Sequence, residues 1–207
     1  MNPLLIATTN PAKLAEYRLL LRGYDLRVLS LRDFAIDAEA PEDAASFAEN
    51  ARRKAHFHFA RARVATLADD GGLEVDALGG APGVRSHRWL GADADDQRLA
   101  DEIVRRMRGV EQARRAARLR AAAAIVYADA GAAVERLAEA ALEGVIAERR
   151  HPVMRPGFPY RAVLFLPERG RFLGELSEAE EARVSQRRAL VEQLDPALRR
   201  IAAARPR

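Results

Sequence analysis

Three short segments carry side chains whose types and spacing could handle a phosphate chain. In Ala7-Thr8-Thr9-Asn10-Pro11-Ala12-Lys13, two hydroxyls and an amide stand at a strand-to-helix turn with a lysine one helical turn further on. A helix N-terminus presents unpaired N–H groups and a partial positive charge, and the ammonium adds the counter-charge that a polyphosphate requires. The plainer alternative is a capped helix with a surface lysine. In Ser46-Phe47-Ala48-Glu49-Asn50-Ala51-Arg52-Arg53-Lys54-Ala55, Asn50 and Lys54 are four residues apart and share a helix face, with Glu49 adjacent. An exposed charged face is the ordinary reading of such a pattern, but Phe47, Ala51 and Ala55 lie close to the same face and imply partial burial. The third segment, Asp69-Asp70-Gly71-Gly72, follows an apolar run. Two carboxylates at a strand end suit Mg2+ and the positioning or deprotonation of a water, whereas the alternative is a simple Asp-Gly turn.

Only two of the 34 cations are lysine, Lys13 and Lys54, and both fall inside these segments. A compact ammonium does what a planar guanidinium cannot, so the surviving lysines mark these positions. The absence of cysteine excludes disulfides, thiolate metal sites and cysteine nucleophiles. Four scattered histidines leave a hard ion held by Asp and Glu as the better match for any metal. The net charge of +4 comes from arginines interleaved with acids along most of the chain, Arg105–Arg120 excepted, which favours a solvated mixed surface over a nucleic-acid partner.

The elements that must position these residues read as a mixed α/β chain. At 207 residues, 49% hydrophobic and 31% charged, the chain suits one domain of two lobes spanning 1–207 with no separable linker. No apolar run approaches the roughly 18 residues needed to span a bilayer, and Met1–Ile6 lacks a basic region followed by an apolar stretch, so a cytoplasmic, membrane-free protein is expected. Strands are predicted at Leu4–Thr8, Leu26–Leu29, Val64–Ala68, Leu73–Val75, Ala121–Tyr127, Leu142–Ala147 and Ala162–Leu166. Helices are predicted from Pro11 to about Arg22 with Asn10 as N-cap, over 41–63, over 95–108, and at Arg187–Leu194. The Ala/Arg-rich stretch 197–207 reads as a fraying end. Alternation of strands and helices early, with strands clustered later, predicts the fold class. Trp89 is expected to pack, His56 and His58 to lie at the surface or an interface, and Arg114, Arg115, Arg118 and Arg120 to face solvent, with Arg118 a candidate for the phosphates.

The chain resembles the inosine triphosphate pyrophosphatases, which hydrolyse non-standard purine nucleoside triphosphates such as ITP, dITP and XTP. The resemblance rests on Ala7-Thr8-Thr9-Asn10 with Lys13 and Glu16, on Phe47-x-Glu49-Asn50-Ala51-x-x-Lys54-Ala55, and on the long run from Ala68 to Val84. It covers nearly the whole chain. It implies a long central twisted sheet with two lobes flanking a deep substrate cleft, usually a homodimer, and Mg2+-dependent attack of water that yields a nucleoside monophosphate and pyrophosphate. Carried over by position, it implies that Thr8, Thr9, Asn10, Lys13, Asn50 and Lys54 hold the substrate. Asp70 becomes the general base or metal-linked carboxylate, acting with Lys13, while Asp69, Glu49 and Glu42 complete a metal-binding acidic side.

The half of the chain that would recognise the base departs from the family. Gly-Phe-Gly-Tyr-Asp is here Gly157-Phe158-Pro159-Tyr160-Arg161, and Ser-His-Arg is Ser185-Gln186-Arg187. The Lys four residues before that Ser is Glu181, and the Ser of Asp-Asp-Ser-Gly is Gly71. Phe158 or Tyr160 could still stack a base. The reversed signs at Arg161 and Glu181 could preserve an ion pair, and the Gln186 amide offers both a donor and an acceptor, so altered or relaxed base selectivity is expected. The competing expectations are a nucleotide-binding protein of the same fold with weakened turnover and, without interleaved aromatics to support it, a nucleic-acid module using Arg105–Arg120.

Overall fold

A computed structural model describes residues 1–91 and 94–204. The strands are β1 (Asn2–Ile6), β2 (Leu26–Ser30), β3 (Ala65–Val75), β4 (Ala116–Asp129), β5 (Ala132–Ile146), β6 (Leu164–Leu166) and β7 (Arg171–Phe172). The helices are α1 (Pro11–Leu20), α2 (Phe47–Ala62), α3 (Asp96–Arg106), α4 (Glu178–Glu181), α5 (Gln186–Gln193) and α6 (Asp195–Ala203). The strands form a mixed sheet in the order β2-β1-β3-β4-β5-β6-β7. β1 runs parallel to β2 and to β3, with Leu4 opposite Val28 and Leu5 opposite Thr66. β6 is antiparallel to β5 and to β7. The mixed α/β class read from the sequence is the class the chain adopts. Among the described residues no helix is long and apolar enough to cross a membrane.

The chain divides into two compact units. The first comprises Met1–Asp70, Ala121–Ala140 and Arg187–Arg207, and the second Gly71–Arg120 and Ala141–Gln186. In the first unit Leu4, Leu5 and Ile6 of β1, Leu67 of β3 and the run Ala121–Val126 of β4 are fully or almost fully buried. Alanine has little intrinsic preference for strands, so the run Ala121–Ala124 is held extended by its neighbours and leaves room for close packing on both faces. Burial of Tyr17, Leu20, Ala51, Ala55, Leu190 and Leu198 gives α1, α2, α5 and α6 their inward faces.

In the second unit Leu99, Ala100 and Ile103 of α3, with Met107 just after it, pack in one cluster with Leu73, Val75, Leu164 and Leu173. Arg115, expected at the surface, is only 3% exposed. Its guanidinium donates to the carbonyls of Met107, Val110, Ile146 and Ala147 at 2.6–3.2 Å, which satisfies both the end of α3 and the end of β5. Trp89 packs against this core as expected, with the Arg106 guanidinium 4.3 Å from its ring centroid. Arg118 pairs with Asp76 and Glu143 of the same unit.

Several boundaries differ from the sequence reading. Asp69-Asp70-Gly71-Gly72 is neither a turn nor a strand end, because β3 runs unbroken through it to Val75. A Cβ at Gly72 would stand 2.1 Å from Ser86 Oγ and 2.6 Å from Gly83 O, so this glycine serves close packing. The helix expected over 41–63 starts at Phe47, where Ser46 Oγ caps the Glu49 N–H. β5 begins ten residues before the expected Leu142. Its glutamates at 135, 139 and 143 recur at helical spacing, yet β6 meets this strand only at Val145 and Ile146 in the register observed, and exposed strand length tolerates charge. The stretch expected to fray is helical to Ala203, with Asn2 donating to the carbonyls of Ile201, Ala202 and Ala204, while residues 205–207 lie outside the described residues.

Candidate active site

The phosphate-handling side chains of the three sequence segments all lie in the first unit, whereas Arg118, the other candidate for the phosphates, lies in the second and pairs there with Asp76 and Glu143. Asn10 caps α1 as expected, its Oδ1 accepting from the N–H groups of Ala12 and Lys13 at 2.9 and 3.3 Å. Pro11 starts the helix. The Asn10 N–H donates to Thr8 Oγ1 at 3.1 Å, which rigidifies the turn, and Thr9 is exposed beside it. One turn along, Lys13 points inward with Tyr17 and Leu20 at i+4 and i+7. Lys13 is 6% exposed and its Nζ lies 3.2 Å from Asp69 Oδ1.

Successive side chains of a strand leave on opposite faces, and this rule separates the two aspartates of β3. Asp69, 1% exposed, receives Lys13 on Oδ1 and Arg187 Nε on Oδ2 at 2.8 Å. Burial alone would raise its pKa, but Lys13, Arg187 and Lys54 outweigh that and hold the carboxyl well below the ordinary range. Asp70, 8% exposed, turns toward α2 and accepts a hydrogen bond on Oδ2 from Asn50 Nδ2 at 2.8 Å. Burial raises its pKa despite the nearby Lys13 and Lys54, and the Glu42 carboxylate adds to the rise. Lys13 in turn is lowered by burial while feeling both aspartates.

Asn50 and Lys54 share a face of α2 as their spacing requires, and both are buried. Asn50 is fixed at both ends of its amide, since Oδ1 also accepts the N–H of Ala44 at 2.9 Å. Lys54 Nζ donates to the carbonyl of Asp69 at 3.1 Å and pairs with Glu42. Glu49 departs from the expected acidic side, because it sits on the outer face of α2 and pairs with Arg52 and Arg53. Asp69 is likewise committed to two cations, so the four carboxylates Asp70, Asp69, Glu49 and Glu42 do not converge, and among the described residues no cluster of three metal-ligating side chains occurs. Asp70 and Glu42 remain, and the Glu42 carboxylate adds to the rise in the Asp70 pKa that burial causes, a rise that a cation beside Asp70 would offset. That pair fits Mg2+, which keeps several waters and takes one or two carboxylates together with substrate phosphates.

The resemblance offers Arg187 among the substrate-side positions and Glu16 in the first motif, but neither their pairing nor the place of Tyr17 beside them. Arg187 Nη1 reaches Glu16 Oε2 at 3.1 Å, and the buried Tyr17 hydroxyl is pushed well above its ordinary pKa by burial and by Asp69. The signal was present in Lys13, Glu16, Tyr17 and Leu20, whose spacing marks one inward helix face carrying charge. His58, expected near the surface, is 2% exposed on that side of α2, whereas His56 is exposed and pairs with Glu135.

The remaining candidates belong to the second unit, Arg187 excepted. Gly71 is a half-buried residue of β3. Arg161 and Glu181, both buried, form the anticipated ion pair, Arg161 Nη2 to Glu181 Oε1 at 2.7 Å. Arg155, unforeseen, pairs with the other Glu181 oxygen at 2.5 Å. Tyr160 is not a stacking surface: it is 4% exposed and its hydroxyl donates to Ser86 O at 2.6 Å. The half-buried Phe158 ring carries the Arg161 guanidinium at 3.4 Å from its centroid, and Pro159 opens the buried turn between them. Gln186, at the start of α5, is 6% exposed, with no partner for Oε1 among the described residues.

This geometry can be set beside known proteins. The model of the Ham1 family matches residues 4–197. The chain is 42% identical over 210 residues to a dITP/XTP pyrophosphatase of Mycolicibacterium paratuberculosis, covering 99% of this chain and 100% of that protein. It is 38% identical over 195 residues to the dITP/XTP pyrophosphatase of Geobacillus kaustophilus, covering 94% and 93%. A HAM1 protein structure from Coxiella burnetii superposes with a TM-score of 0.82 at 28% identity over 96% of this chain and 98% of that one. The structure of a nucleoside-triphosphatase, a dITP/XTP pyrophosphatase, from Mycobacterium abscessus gives 0.71 at 34% identity over 94% and 99%. With its family model matched over nearly its whole length, the chain belongs to the Ham1 family.

Proposed function

We propose that this chain hydrolyses a nucleoside triphosphate to the monophosphate and pyrophosphate, with non-standard purines among its substrates. The observation that carries the reading is the division of labour in β3. Asp69 is locked as an anion between Lys13 and Arg187, while Asp70 is buried with a raised proton affinity beside Lys13 and Lys54. A carboxylate of raised pKa that is neighboured by cations suits a general base for water, because it can take a proton that an ordinary carboxylate would hold poorly. Asn50 holds Asp70 in place.

The Thr8–Asn10 turn and the two ammonium groups supply the binding of the triphosphate. Lys13 spends one donor on Asp69 and keeps two for phosphate oxygens. Cleavage of a phosphoric anhydride needs charge neutralisation and an aligned water, and little covalent chemistry from the protein. Asp70 and Glu42 would hold Mg2+, which when bound supplies further charge neutralisation on the phosphates.

Base selectivity is proposed to be altered relative to the family, because Arg161 is occupied by Glu181 and Gln186 presents a carboxamide in place of an imidazole. The resemblance also supports a cytoplasmic homodimer, which light scattering tests. Pyrophosphate release measured with Mg2+ across ITP, dITP, XTP and the standard triphosphates is the deciding experiment. Release that disappears in Asp70→Asn is expected. Binding of nucleotide without release from any triphosphate would replace this reading with that of a nucleotide-binding protein, and a strong preference for ITP and XTP over ATP, GTP and pyrimidine triphosphates would remove the altered selectivity.

A further inference from the structure

A cavity of about 650 Å3 lies in the first unit, at the end of β1 and β3 remote from the phosphate-handling turn. Pro3 and Ala65 line it near the start of those strands, and Thr8 and Asp70 each stand five residues further on. At about 3.3 Å per residue that separation is about 16 Å. Arg27 of β2, Arg63 after α2 and Arg200 of α6 bring guanidinium groups to its walls, and Phe59 and Tyr127 bring rings. Arg200 is committed, since it pairs with both oxygens of Asp129 at 3.0 and 3.2 Å. Arg27 and Arg63 are exposed and have no ion pair among the described residues. Tyr127 is 6% exposed, and its hydroxyl, which feels the Arg200 charge, has no hydrogen-bond partner among the described residues. That hydroxyl is not sealed in the core, so it opens onto the cavity. Three guanidinium groups against the Asp129 carboxylate leave two positive charges, from which the C-terminal ends of α2 and α6 subtract about half a charge each. The balance favours an anion.

We propose that this cavity is a second, non-catalytic binding site for a nucleoside monophosphate, with the phosphate on Arg27 and Arg63 and the base against Phe59 and Tyr127. The volume lies within the range of small-molecule sites. Two guanidinium forks without carboxylate partners match the oxygens of one phosphate monoester, and an aromatic ring stacks on the face of any base. The Tyr127 hydroxyl donates to a ligand oxygen. Inorganic phosphate alone would leave the rings uncovered, and a nucleoside alone would leave both arginines without a counter-charge. The site stands apart from the triphosphate-cleaving reading, because none of these residues belongs to that machinery.

The test is titration calorimetry of GMP, guanosine and inorganic phosphate on the full chain without divalent metal. Thr9→Glu serves as the background, since a carboxylate at that exposed position repels nucleotide from the phosphate-handling turn and leaves the cavity untouched. GMP is expected to bind this background at one site with a Kd below about 1 mM. Adding Arg27→Gln and Arg63→Gln together weakens that binding by about tenfold or more, and adding Tyr127→Phe weakens it by about threefold. Inorganic phosphate and guanosine each bind at least about tenfold more weakly than GMP. The proposal is overturned if GMP binds the background no tighter than about 1 mM, which would leave the catalytic turn as the nucleotide site. It is equally overturned by a loss below about fivefold in the double arginine variant, by unchanged binding in Tyr127→Phe, or by phosphate binding as tightly as GMP, which would make the cavity a site for simple anions. Should the double variant fail to fold, Arg27→Gln alone decides, with a loss of about threefold expected and unchanged binding fatal. These readings do not depend on whether any triphosphate is cleaved, so failure of the proposed activity and failure of this site are separate results.

Discussion

Asp69 and Asp70 are peptide neighbours whose carboxyl groups are shifted in opposite directions, the first downward by Lys13 and Arg187 against its burial, the second upward by burial. One strand residue separates a carboxyl held as an anion from one of raised proton affinity, because consecutive side chains of β3 face different helices: Asp69 meets Lys13 of α1, and Asp70 meets Asn50 of α2. The two therefore contribute to stability with opposite signs.

Asp70→Asn is expected to raise stability at neutral pH by about 1 kcal/mol while removing activity by about 100-fold or more. A carboxyl whose folded pKa is raised stabilises fully below its unfolded pKa, and that contribution is lost as pH rises through the folded value. The amide also keeps an oxygen for the Asn50 donor. Thermal melts at pH 7 and pH 3.5 check this, with the gap between variant and wild type closing at the lower pH.

Glu181 and Arg161 give an asymmetric pair of variants. Glu181→Gln leaves two arginines, Arg161 and Arg155, without their carboxylate, whereas Arg161→Met leaves Glu181 still paired with Arg155. The expected losses are about 3–5 kcal/mol for the glutamate and about half of that for the arginine. Urea denaturation of both singles and the double variant should give a coupling near 2 kcal/mol, and equal single losses would contradict the shared-carboxylate geometry.

Arg115→Lys is expected to cost about 3 kcal/mol. The guanidinium serves four backbone carbonyls, and an ammonium of three donors on a shorter reach leaves buried acceptors unmet. Equilibrium denaturation measures the loss, and a cost below about 1 kcal/mol would mean that water replaces the missing donors.

His58 makes the fold sensitive to mild acid. Burial, followed by the Lys54 and Arg61 charges, lowers its pKa to about 4, against about 6.5 in the unfolded chain. A depressed folded pKa contributes stability above the unfolded value that is lost as pH falls toward 4. Between pH 7 and 4.5 the wild type should lose more thermal stability than His58→Gln, which carries no titrating group at that position. Parallel curves for the two proteins would count against a buried neutral imidazole.

Local patterns in the sequence determined the pieces whose partners are close along the chain. Asn10, Pro11 and Lys13 announced a capped helix start, and the four-residue interval between Asn50 and Lys54 placed both on one face, because helix geometry fixes those relations without reference to the rest of the molecule. The pairing of Arg161 with Glu181 was anticipated on a different ground, the reversal of both signs relative to the family that the chain resembles, and burial of both side chains makes the partner necessary.

Tertiary structure alone decided which carboxylate does what. In the amino-acid string Asp69 and Asp70 form one acidic pair beside a glycine doublet, which reads as a turn; only the continuation of β3 through Gly72 sends them to opposite faces. Glu49 lies one residue from Asn50 yet turns outward to Arg52 and Arg53, because neighbours on a helix are about 100° apart. The partners that set Asp69 as an anion are 56 and 118 residues away in sequence, at Lys13 and Arg187. Charges at such separations meet only where the packing of helices on the sheet brings them together, and no periodicity within either segment encodes that choice.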